Sequence, residues 1–234
     1  MLPIILSCGC GAAALTSFLI TCNKKRSVTG VFNKATVSVF FIITAVIGLF
    51  NVINSSIVQY GLFTICGLVF GLLGDIFLDQ KWVYPDDNAK YLNCGFIVFG
   101  IGHIIYTFSM FRFYSLGIKD VIFPAAFMVV VWVASTIIGK LQHQVYGEFK
   151  LILNIYTVVI AFMVGTSIWL AITQFSVATL VYAIGAVFFL LSDLILSPMY
   201  FKEGSNTPIN MVLNHITYYI GQYMIALSIF FIAK

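Results

Sequence analysis

Charge is what this sequence has least of. Only 9% of its 234 residues are Asp, Glu, Lys or Arg, where soluble domains carry about a quarter. Such a chain has too few polar groups to cover a water-facing surface, which excludes a cytosolic enzyme and a disordered segment. A basic stripe is missing as well: the net charge of +4 reflects 8 acids against 12 Lys and Arg, so nucleic acid is not an expected partner. No low-complexity linker or long polar connection leaves room for a soluble domain. Cys8, Cys10, Cys22, Cys66 and Cys94 lie in or beside apolar stretches, without CxxC spacing or neighbouring histidines. That excludes a zinc knuckle or a disulfide framework and reads as five small buried hydrophobes.

What fills the sequence is apolar: 61% hydrophobic and 16% aromatic residues, with a mean hydropathy of +1.05. A bilayer span takes about 20 apolar residues, so the length accommodates eight. Apolar windows between turn clusters predict helices over 3–22, 36–52, 57–79, 91–112, 119–139, 150–173, 176–197 and 209–232. The expected fold is an all-α polytopic membrane protein forming one transmembrane domain over residues 1–234. The first apolar run is followed, not preceded, by the basic cluster Lys24, Lys25, Arg26, which predicts a retained first helix and not a secretory signal. Odd-numbered connections hold nine Lys and Arg (Lys24, Lys25, Arg26, Lys34, Lys81, Lys90, Lys140, Lys150, Lys202) against three elsewhere (Arg112, Lys119, Lys234). The bias puts the odd connections in the cytoplasm and both termini outside.

An internal repeat is the most informative pattern. VFGLLGDIFLD from Val69 to Asp79 matches VFFLLSDLILS from Val187 to Ser197 at six of eleven positions, aligning Asp75 with Asp193. The next helix of each half carries HxxY, His103 with Tyr106 and His215 with Tyr218, and a lysine, Lys34 or Lys150, opens helices 2 and 6. The offsets of 118, 112 and 116 agree closely, so the expectation is two parallel four-helix repeats, residues 1–112 and 119–234. Chance matches among apolar segments are the alternative.

An aspartate inside a span costs several kcal/mol and normally faces a cavity or a partner. Asp75 and Asp193 are each expected about four residues, roughly 6 Å, before their helix ends, at one depth under the cytoplasmic leaflet. Two acids, two histidines and two tyrosines are expected to line one pocket. Plainer roles exist: Asp79 closes a span beside Lys81, His103 satisfies an interhelical hydrogen bond, and Tyr106, Tyr218 and Tyr219 pack or join an aromatic belt. The glycines Gly67, Gly71 and Gly74 predict close helix approach. No HxxxH or HxxE pair exists, so no metal and no cofactor are expected.

At these residues the sequence resembles the YhhN-like lysoplasmalogenase family of eight-helix membrane enzymes. The resemblance is carried by GDIFLD at Gly74 to Asp79, by Gly95, Phe96, Phe99, His103 and Tyr106, by GAVFFLLSD at Gly185 to Asp193, and by TYYIGQ at Thr217 to Gln222. One departure is Lys34 followed by Ala35, where the family tends to have Lys-Pro. The resemblance implies hydrolysis of the vinyl ether bond of a lysoplasmalogen to a fatty aldehyde and glycerophosphocholine or glycerophosphoethanolamine. That chemistry needs an acid, a negative charge and a water. Two buried carboxyl groups can divide the first two roles, much as in glycosidases.

On this reading Asp75 and Asp193 are the acid pair, with the donor not assigned between them. His103 and Tyr106 orient the water or a carboxyl group. Tyr218 and Gln222 bind the glycerol or ether oxygen, with His215, Lys34 and Asp79 also facing the substrate. Lys34, Lys150 or Lys81 would pair with the lipid phosphate, or serve only as positive-inside residues. The expected partner is a lysophospholipid in the membrane: endoplasmic reticulum for a eukaryotic source, plasma membrane for a bacterial one. A proton-coupled transporter or a non-catalytic lipid-binding homologue are the competing functions.

Overall fold

The computed structural model describes residues 1–22, 27–50 and 57–232. The basic cluster Lys24, Lys25, Arg26, the connection 51–56 and Lys234 lie outside the described residues, as does the side chain of Cys22. Eight long helices follow one another: α1 Leu2–Cys22, α2 Val28–Phe50, α3 Val58–Val83, α4 Asn88–Phe113, α5 Ile122–Leu141, α6 Lys150–Thr173, α7 Val177–Phe201 and α8 Pro208–Ile232. All eight are long and apolar enough to cross a bilayer. The chain is a multi-pass integral membrane protein, with no strand among the described residues.

Three boundaries differ from the sequence expectation by four residues or more, and each moves a polar residue deeper. Helix α2 begins at Val28, so Lys34 lies in its second turn instead of opening it. Ala35 keeps the backbone N–H that a proline would lack, so nothing stops the helix from extending back through it. Helices α3 and α7 run on to Val83 and Phe201. Asp75 and Asp193 therefore stand two turns, about 12 Å, from their helix ends instead of one. The extra turn of α3 is possible because Lys81 is not left bare: its ammonium lies over the Tyr200 ring, 3.0 Å from the centroid.

Helix packing sets the site. The most extensive contacts are α3 with α4 and α7 with α8; α1 packs on α2, α5 on α6, α2 on α3 and α6 on α7. Three cross-packings join the halves, α2 with α8, α4 with α6 and, less extensively, α3 with α8. Exchanging α1–α4 for α5–α8 maps each of these pairs onto another except α3 with α8.

Lipid removes the hydrophobic drive between helices, so close van der Waals approach must hold the bundle. Gly185 and Gly221 provide it between α7 and α8: a Cβ on either would lie 2.8 Å from the other's carbonyl oxygen. On α3 the three glycines admit side chains, Gly67 receiving the Tyr106 ring, Gly71 the Gln222 amide and Gly74 the Phe99 ring. Phe41, Leu68, Phe189, Ile225 and Ile229 fill the centre.

Helix α5 differs from the rest, because only Pro124 and Gly139 of it are buried. The cysteines correct the reading of buried thiols: Cys8, Cys66 and Cys94 are half-buried and Cys10 is exposed. A lipid-facing surface is as apolar as the core, so a thiol gains nothing there from burial.

Candidate active site

Asp75 and Asp193 line one cavity of about 60 Å3 between α2, α3, α4, α6, α7 and α8. Lys34, Asp79, Tyr156, His215 and Tyr218 share its wall, and Phe96, Phe99 and Phe189 make much of the remainder aromatic. At roughly 10–15 Å3 for each water-sized site, the space suits a few water molecules and not a lipid.

The two carboxyl groups have different surroundings. Asp75 is buried and richly partnered. Lys34 Nζ lies 3.3 Å from its Oδ1, and Oδ2 accepts hydrogen bonds from Ser38 Oγ at 2.6 Å and the Tyr218 hydroxyl at 2.8 Å. Lys34 and Ser38 reach it together because they are one turn apart on α2. The same ammonium donates to Asp79 Oδ1 at 3.0 Å, so one cation serves two carboxylates and is itself buried. Such a group is tolerable only because it is paired and hydrogen-bonded.

A relay extends behind Asp75. Gln222 Nε2 donates to the Tyr218 oxygen at 3.1 Å, and Tyr106 donates to Gln222 Oε1 at 3.1 Å. Each donor points toward the carboxylate, which fixes the Tyr218 hydrogen on Asp75. Tyr219 adds a hydrogen bond to the Lys34 carbonyl at 3.2 Å.

Asp193 is half-buried and has one hydrogen-bond donor among the described residues, the Tyr156 hydroxyl at 2.7 Å from Oδ2. No cation forms an ion pair with it among the described residues. His103 Nε2 lies 3.1 Å from the same phenolic oxygen. Because the Tyr156 hydrogen is committed to the carboxyl, the imidazole must donate from Nε2. His103 Nδ1, buried, then has no partner among the described residues. His215 presents its other nitrogen as a donor: Nδ1 donates to the Met211 carbonyl at 2.7 Å, while Phe18 packs edge-on at 4.9 Å.

Of the residues singled out in the sequence, Asp75, Asp79, Asp193, Lys34, His215 and Tyr218 face the cavity, whereas His103, Tyr106 and Gln222 stand behind it. Ser38 and Tyr156 were not anticipated. A signal for Ser38 existed in its position four residues after Lys34; Tyr156 offered only a phenol inside an otherwise apolar span. Lys150 is exposed at the start of α6, and Lys34 and Lys81 are engaged by carboxylates and by an aromatic ring. Among the described residues no three His, Cys, Asp or Glu side chains cluster as a metal site requires.

No curated protein and no solved structure matches the chain. A family match does extend over residues 29–229, from the first turn of α2 to near the end of α8 and so across every residue of the cavity except Ser27; the chain belongs to the YhhN family.

Proposed function

We propose that this protein is a lysoplasmalogenase that hydrolyses the vinyl ether of a single-chain phospholipid to a fatty aldehyde and a glycerophospho-alcohol. The observation that carries the reading is the inequality of two aspartates on one water-sized cavity. Asp75 faces a cation and two hydroxyl donors, which favour the carboxylate. Asp193 faces a single phenol in largely apolar surroundings, where a carboxyl without a cation is cheaper neutral. That division supplies an acid and an anion on one cavity.

In the proposed reaction Asp193 delivers its proton to the alkenyl carbon remote from the ether oxygen. The carbon next to that oxygen becomes an oxocarbenium-like cation, which the Asp75 carboxylate stabilises across the cavity. Water adds to the cation and yields its proton to the Asp75 carboxylate, giving a hemiacetal. The hemiacetal breaks its bond to the glycerol oxygen as that oxygen takes the proton held on Asp75 and the hemiacetal hydroxyl gives its own to the Asp193 carboxylate; aldehyde and alcohol leave, one water is consumed, and both carboxyl groups return to their starting states. His103 and Tyr106 act as positioning residues: the first holds Tyr156 on Asp193, and the second holds Gln222 and Tyr218 on Asp75. Lys34 keeps Asp75 ionised and is not available to a phosphate.

The test is product analysis with the detergent-purified protein and a lysoplasmalogen, beside its saturated alkyl-ether analogue. Aldehyde from the vinyl ether alone supports the proposal. Absence of aldehyde together with substrate flux across proteoliposomes would make the protein a carrier and overturn it.

A further inference from the structure

The cavity that holds the two aspartates is too small for a lipid, so the reactive bond must come to it from elsewhere. A second space opens on the side of the bundle between α5 and α7, floored by α6, with a volume of about 1070 Å3. That is at the upper end of the roughly 300–1,000 Å3 typical of ligand pockets. It exists because α5 packs on α6 and leaves its other faces bare. Asp193 and Tyr156 line both spaces, so the groove leads to the carboxyl that lacks a cation.

Its two ends differ. Toward the α5–α6 connection stand Lys140 and Lys150, both exposed, with Glu148 as the single acid beside them. The connection is fastened to α7 there: the Val145 N–H donates to the Phe201 carbonyl at 2.7 Å and Ser197 Oγ to Gln144 Oε1 at 2.7 Å. This end is therefore a walled, cationic rim. Away from it the lining becomes apolar, with Val131, Ile160 and Leu190 about 13–17 Å deeper along their helices. Asp193 lies between, about 12 Å from the end of α7.

We infer that this groove binds a single-chain phospholipid sideways from the bilayer, its phosphate against Lys140 and Lys150 and its chain passing Asp193 toward the apolar end. A phosphate at the rim and a hydrocarbon beyond it match the polarity gradient of the groove. A rim with two lysines and one glutamate stays net positive. The binding site stands on the groove itself; only the statement that the first chain atoms meet Asp193 rests on the hydrolase reading.

Trp132, on the α5 wall with its Nε1 donating to Asn154 Oδ1 at 2.7 Å, is a built-in reporter. The experiment titrates the detergent-purified full chain with a saturated alkyl-ether lysophospholipid brominated on its chain, taking as signal the fluorescence quenching that disappears in Trp132→Phe. The inference expects saturable quenching, weakened at least tenfold in affinity by Lys140→Glu combined with Lys150→Glu. In the same preparation Ser135→Trp, which fills the groove from α5, should raise KM for the vinyl ether lipid. Saturable, lysine-dependent quenching without aldehyde from any substrate would sink the hydrolase reading while sustaining the lipid site. Equal quenching by a brominated diacyl phospholipid would show that the groove only meets bulk bilayer lipid and would overturn the inference. So would absence of quenching from a dimeric protein, which would give the groove to a second copy of the chain. If Ser135→Trp melts early, the lysine variants and the lipid comparison still decide.

Discussion

The Tyr156 hydroxyl donates to Asp193 Oδ2 at 2.7 Å, carrying a hydrogen bond from α6 to α7. It is the one hydrogen-bond donor to that carboxyl among the described residues, and His103 holds it there from α4 at 3.1 Å. Three helices are thus spent on orienting a single acidic group.

Removing that donor with Tyr156→Phe leaves the ring packing and deletes only the hydrogen bond. As Asp193 gives up its proton, Tyr156 donates to a developing carboxylate, and hydrogen bonds to charged groups contribute about 1.5–3 kcal/mol, so turnover should fall by roughly ten- to a hundredfold while the thermal midpoint of the detergent-extracted protein moves little. His103→Gln, whose amide can donate to the same oxygen, should retain more activity than His103→Leu. Equal losses in the two His103 variants would remove the imidazole from this role.

Lys34→Met tests the other acid. It leaves Asp75 and Asp79 without their shared cation, and breaking a buried pair from one side typically costs about 3–5 kcal/mol. The variant should lose activity and extract in low yield. Adding Asp79→Asn, which removes one of the two stranded charges, should recover part of the stability but none of the turnover. Thermal melts of the single and double variants in one detergent measure this.

The α3 glycines give a prediction about the relay. At Gly71 a Cβ would lie 2.5 Å from Gln222 Nε2, so Gly71→Ala must push the amide off Tyr218. Activity should drop in a folded protein, because a flexible side chain can retreat. Gly221→Ala meets the Gly185 carbonyl at 2.8 Å and the Phe189 backbone at 2.9 Å, neither of which can move alone, and should impair folding itself. Comparing yield and activity of the two variants separates these effects.

Much of this arrangement is legible in the sequence, and the parts that are not share a cause. Eight spans and a matched pair of aspartates follow from apolar windows and a repeated motif, since charge inside a span is too costly to be incidental. The helix ends of α2, α3 and α7 differ from the expectation where a polar residue does not stop the span. Lys34 and Lys81 lie inside helices because partners elsewhere in the fold, Asp75 and Asp79 for the first and Tyr200 for the second, accommodate the charges. Tyr156 and Ser38 gain their meaning from α6 and α2 leaning against α7 and α3, a relationship that local periodicity does not encode. The same is true of the splayed α5, whose composition resembles that of any other span.

Metal removal gives a further prediction. If protons and carboxyl groups do all the work, aldehyde release should be unchanged after dialysis against a strong chelator; loss restored by a divalent ion would require a different mechanism.

The most direct measurement compares aldehyde release by wild type, Asp193→Asn and Asp75→Asn, each purified in one detergent and shown to bind the saturated ether analogue. General acid catalysis contributes about 10²–10⁴-fold and a preorganised group facing the developing charge about 10²–10³-fold, so both variants should fall by at least about a hundredfold with analogue binding retained. Near-normal turnover in either variant would contradict the two-carboxyl account.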